Sequence, residues 1–98
     1  MTDQQIAQRG LEAGQVLENE AYKDAMASLR AQVVEQWKAC PIRDKEGQIL
    51  LLQLAKLTDK FDGILRGMVE GGKYAQRKIE LDDIRNESGA RKLMRRVL

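Results

Sequence analysis

Apolar positions recur along this chain at helical steps, and each change in the pattern marks an element boundary. Ile6, Gly10, Ala13 and Leu17 follow one another at steps of 4, 3 and 4, the spacing of one helix face. Thr2 followed three residues later by Gln5 offers both halves of a capping box. Together they predict a first helix over 3–18. Gly10 and Gly14 each cost that helix about 1 kcal/mol against alanine, so it is expected to order only by docking.

Asn19 is a good N-cap, with Glu20 well placed in the first turn behind it. Tyr22, Met26, Leu29, Val33 and Trp37 then step by 4, 3, 4 and 4 along one face, while Lys23, Arg30 and Glu35 lie on the opposite one. A second helix over 20–39 follows. Pro41 biases Cys40 away from the α region and ends it. Asp44 is the natural cap of what comes next. A link as short as Cys40-Pro41-Ile42-Arg43 favours an antiparallel helical hairpin.

The third helix, expected over 44–85, carries the strongest pattern. Leu50, Leu54, Leu57, Phe61, Ile64 and Met68 fall at steps of 4, 3, 4, 3 and 4, a coiled-coil a/d seam with a 3.5-residue period. A partial stripe through Leu51, Ala55, Leu65 and Val69 runs beside it. Two stripes on one helix need two packing partners. The second helix can cover one, and the first helix or another subunit must cover the other. The seam has two readings, the inside of a one-chain bundle or a surface shared between subunits, and the poor cover offered by the short first helix favours the latter.

Beyond Met68 the pattern weakens. Gly71-Gly72 allows a stop or kink, Ala75, Ile79 and Asp82 continue a polar helical pattern through Arg85, and Asn86-Glu87-Ser88-Gly89 has the composition of a turn. Residues 89–98 then form a short basic amphipathic end. Gly63, Gly67 and Gly71 repeat every four residues. Such a ridge lets another backbone approach closely; its alternative is a bendable helix end.

Composition narrows the chemistry. With 98 residues, the chain is one domain at most, and its 43% hydrophobic and 33% charged residues suit thin apolar stripes on solvated helices. Four aromatics, Tyr22, Trp37, Phe61 and Tyr74, are few for a private core. There is no histidine and a single cysteine, Cys40. That removes imidazole bases, Ser-His-Asp and Cys-His pairs, His-containing zinc sites, thiolate cages and an intramolecular disulfide. A lone thiol fits a reducing compartment, and the polar start through Gln5 is not expected to be a secretory leader. The longest apolar run, Ile49 to Leu52, is far too short to span a membrane.

The net charge of +2 is uneven, because the last eight residues carry four cations and no acid. That tail, Arg91, Lys92, Leu93, Met94, Arg95 and Arg96 with Val97 and Leu98, has three readings. It can dock in a partner's groove, touch phosphates weakly alongside Lys73, Arg77 and Lys78, or end a helix with cations that suit its dipole. Trp37 is expected to plug the turn, with a partner hot spot as the alternative. Asp44-Lys45-Glu46-Gly47 has too few carboxylates for a calcium loop. Gly71-Gly72-Lys73 lacks the other residues of a phosphate-binding loop. No cofactor, metal or catalytic set is expected, so the chain is not expected to be an enzyme.

Leu17-Glu18-Asn19-Glu20-Ala21-Tyr22, Gln36-Trp37-Lys38 and Pro41-Ile42-Arg43-Asp44-Lys45-Glu46-Gly47, followed by the leucine-rich helix, resemble small helical proteins of tailed bacteriophages. The resemblance covers Leu17 to Lys73. It implies a virion or genome-packaging setting, with other phage structural or packaging proteins as partners, in the host cytoplasm or the particle. Small terminase subunits are similar in having a helical-hairpin oligomerisation core and a C-terminal segment that contacts the motor. This chain lacks their N-terminal helix-turn-helix. The expected protein is therefore an all-α homo-oligomer acting as a structural or adaptor part. A small-terminase-like nucleic-acid binder and an anti-defence protein that blocks a host factor are the alternatives.

Overall fold

Capping chemistry sets where the helices start. In the computed structural model, which describes the backbone of residues 1–97 and side chains through residue 86, the Thr2 hydroxyl accepts from the Gln5 N–H at 3.2 Å. The Gln5 side chain accepts in return from the Thr2 N–H at 2.9 Å. This is the predicted capping box, and it opens α1, Asp3–Glu18. Asn19 then serves two helices at once. Its N–H bonds back to Val16, while its side-chain oxygen accepts from the Tyr22 N–H at 3.0 Å to begin α2, Glu20–Ala39. One residue thus separates the two helices. Asp44 caps the third, its carboxylate accepting from the Gly47 N–H at 3.0 Å.

That third helix, α3, is a single element, Lys45–Val97. Here the sequence-based boundaries need correction. Gly71-Gly72 neither stops nor breaks it, and the turn expected at residues 86–89 lies inside it, so residues 89–97 belong to the same helix. The reason is that low helix propensity is a cost and not a barrier. No glycine among the described residues takes a positive φ, and no proline interrupts the segment. At 1.5 Å per residue, 53 residues make a rod of about 80 Å, which sets the 83 × 26 × 15 Å dimensions of the molecule.

The other two helices lie along this rod one after the other. Contacts run in reverse sequence order: Gln48 with Cys40, Asp62 with Tyr22, Val69 with Gly14, Gly72 with Gly10, and Lys78 with Asp3. The fold is all-helical, with three helices and no strand among the described residues. Only one layer of contact exists, so the core is thin. Its buried apolar residues are Ala7, Ala13, Met26, Val33 and Ala75, and no large side chain among the described residues is fully buried. Five of the buried positions are glycine or alanine (Ala7, Gly10, Ala13, Gly72 and Ala75), so α1 lies close against α3 while burying little area.

Candidate interaction surface

The partial stripe of α3 turns out to be the inward one. Leu51, Ala55, Leu65 and Val69 are half-buried, and Thr58, on the same side, is buried with its hydroxyl donating to the Leu54 carbonyl at 2.8 Å. Facing the α2–α3 contact from this stripe leaves the stronger one turned outward. Leu50, Leu54, Leu57, Phe61, Ile64 and Met68 are all exposed, from 37% at Met68 to 64% at Leu50. They form a continuous apolar strip of about 27 Å, eighteen residues of helix. Tyr22 of α2 borders it, its ring centre 6.5 Å from that of Phe61.

At Met68 the strip runs up against α1. Ala75 lies seven residues beyond Met68, in the same helical register, yet it is 2% exposed. α1 covers it. At this point Gly10 and Gly72 bring the two backbones together: a methyl group on Gly10 would lie 2.7 Å from the Gly72 Cα and 2.8 Å from the Met68 carbonyl. Close approach is therefore made by this pair. Gly63, Gly67 and Gly71, the ridge singled out from sequence, have nothing within 4 Å of an added Cβ. Within one chain that ridge is open.

Trp37 also departs from expectation. It is 56% exposed and does not plug the turn. Instead it lines an apolar trough of about 510 Å³ with Val33, Val34, Ile49, Leu52 and Ala55, on the flank of α3 away from the seam. The turn is closed by polar groups: the Gln48 amide donates to the Cys40 and Pro41 carbonyls at 3.4 and 3.3 Å. Burial, with the Asp44 carboxylate beside it, pushes the Cys40 thiol above its usual range, so it is a poor nucleophile at neutral pH.

A charged cluster joins α2 to α3. The Asp62 carboxylate, 15% exposed, accepts from Arg66 at 2.7 Å and from the Tyr22 hydroxyl at 3.4 Å, with Arg30 3.9 Å away. The Arg66 bond chiefly holds the Asp62 carboxyl below the usual carboxylate range. Burial, reinforced by Asp62, pushes the Tyr22 hydroxyl up. The apolar pattern of the sequence did not single out Asp62, and this cluster was not expected. Its register, seven residues from both Ala55 and Val69, was the available signal.

Basic residues named for phosphate contact are partly engaged within the chain: Lys73 pairs with Glu70 at 3.4 Å and Lys78 with Asp3 at 3.8 Å. The side chains of the tail, Arg91, Lys92, Leu93, Met94, Arg95 and Arg96, lie outside the described residues. Among the described residues, no His, Cys, Asp and Glu group is arranged to hold a metal, and no helix is long and apolar enough to cross a membrane. No family model, curated protein or solved structure matches this chain.

Proposed function

We propose that this protein is a non-enzymatic, self-associating structural or adaptor component whose helical hairpin assembles through the outward seam Leu50, Leu54, Leu57, Phe61, Ile64 and Met68. The observation that carries the reading is uncovered surface. A folded monomer of 11.1 kDa is expected to expose about 5,700 Å², and this chain exposes 8306 Å². The projecting end of α3 contributes to the excess, but so do six large apolar residues in one row. A contiguous row of that size is what protein–protein surfaces present.

The bacteriophage setting rests on the resemblance across Leu17 to Lys73, and within it the assembly would serve a virion or the packaging machinery. The basic tail would contact the next component. The mass of the native particle in solution tests the core of this reading, with Leu57→Asp as the decisive variant. The expected result is a multimer that falls to single chains on substitution. A single-chain mass for the unaltered protein at high concentration, or an unchanged multimer of the variant, would overturn it.

A further inference from the structure

The position of α1 fixes how a second copy can lie on the seam. We infer that two copies pair antiparallel, α3 against α3, with Leu50 of each opposite Met68 of the other, Leu54 opposite Ile64, and Leu57 opposite Phe61. This deepens the self-association reading and rests on it. Three observations lead to the arrangement.

The first is steric. α1 covers Ala75, in register with the seam, and meets α3 beside it at Gly72. In a parallel pair, the second copy's α3 would continue past Met68 on the same face and meet α1 there, while its own α1 met the first copy's. Helix axes pack 8–10 Å apart, which leaves no room for a further helix between them. In the antiparallel pair, residues at equal levels have numbers that add to a constant, so the second copy's α3 begins, at Lys45, level with residue 73. It overlaps α1 only along the part that meets Met68, Val69 and Gly72, whereas a parallel copy would run along the whole of α1. Its projecting C-terminal half runs the other way, past the first copy's turn.

The second is register. In antiparallel helix pairs a and d positions form mixed layers, and the constant above pairs all six seam residues with none left over. Carried one layer further, it sets Gly71 opposite the second copy's Gly47. Gly71 has open space where its side chain would be, so the chains can close at both ends of the seam.

The third lies on α2, which flanks the seam beside Tyr22. Level with the two-fold axis, its exposed face on that side carries Ala25 and Leu29. The same symmetry brings the large residue of each copy opposite the small one of the other, as interlocking helices require. The arrangement also sets Lys60 near its own copy across the axis, an exposed like-charge contact that salt screens.

Disulfide trapping tests the arrangement, in chains carrying Cys40→Ser so that no native thiol interferes. Leu50→Cys and Met68→Cys replace exposed residues, and circular dichroism checks that each folds. On mixing and oxidation, the two variants should form a disulfide-linked pair, whereas either alone should form almost none, its thiols being about 27 Å apart. Rapid cross-linking of Leu50→Cys with itself would show a parallel pair and overturn the inference while leaving self-association intact. A multimer that forms neither bond would also overturn it. A single-chain mass before oxidation would remove both readings together.

Discussion

Gly10 and Gly72 face one another so closely that a methyl group on either would sit 2.7 or 2.8 Å from the other's Cα. This contact lets α1, a weak helix by propensity, dock on α3. Gly10→Ala adds helix propensity worth about 1 kcal/mol but forces two backbones apart, and overpacking of that kind costs about 1–3 kcal/mol. The variant should loosen α1 selectively: amide hydrogen exchange within residues 3–18 should quicken while α2 keeps its protection.

Gly67→Ala is the control, because nothing lies within 4 Å of a Cβ there. A single chain gains about 0.5–1 kcal/mol from such a change in a helix interior. Urea unfolding at protein concentrations low enough to hold single chains should show that gain. At high concentration the same substitution reports on whatever approaches the open ridge.

Which of these features the sequence revealed follows from their range. Caps are local, and Thr2 with Gln5, Asn19 and Asp44 were all legible because each bonds within three residues of itself. The Gly10–Gly72 contact spans sixty-two residues, and no local rule pairs them. A signal existed all the same. Gly72 continues the inward stripe from Leu65 and Val69, whereas Gly63, Gly67 and Gly71 do not. Spacing alone singled out the ridge that is open within one chain, and treating Gly71-Gly72 as a stop hid the contact made by the second of them. The two stripes of α3 were legible, but which one its own chain would cover was not, since that depends on how α3 returns along α2 after Pro41.

Trp37 supplies a prediction on exposure. A buried tryptophan truncated to alanine costs about 3–5 kcal/mol, but Trp37 is 56% exposed. Trp37→Ala should cost about 1–2 kcal/mol, in proportion to the area it still covers. Since it is the only tryptophan in the chain, its fluorescence reports on it alone. Acrylamide should quench it readily, and strong protection would mean the trough is covered in solution.

Cys40 should resist alkylation at neutral pH. Burial and the Asp44 carboxylate hold its pKa above the usual thiol range, so the reactive thiolate is scarce until the pH rises further. Iodoacetamide labelling followed against pH should show a midpoint higher than that of a free cysteine peptide. Asp44→Asn removes the charge and keeps a capping oxygen, and should move that midpoint down without unfolding α3.

Asp62 gives the chain an acid-sensitive seam between α2 and α3. Its folded-state pKa is depressed, chiefly by the Arg66 bond, so the folded form binds that proton less readily than the unfolded form. The stabilisation is therefore complete above the ordinary aspartate range and is lost as pH falls through the folded pKa. Tyr22 acts in the opposite sense: its raised pKa favours the protonated folded form, and its contribution is present below the ordinary tyrosine range and lost as pH climbs through the folded value. Urea unfolding at neutral pH and at acid pH should show the wild-type chain losing more stability than Asp62→Asn between the two. At neutral pH Asp62→Asn should be the weaker protein, because Arg66 and Arg30 then lose their shared acceptor charge. Equal acid sensitivity of the two chains would mean the cluster seen at 2.7 and 3.4 Å does not persist in solution.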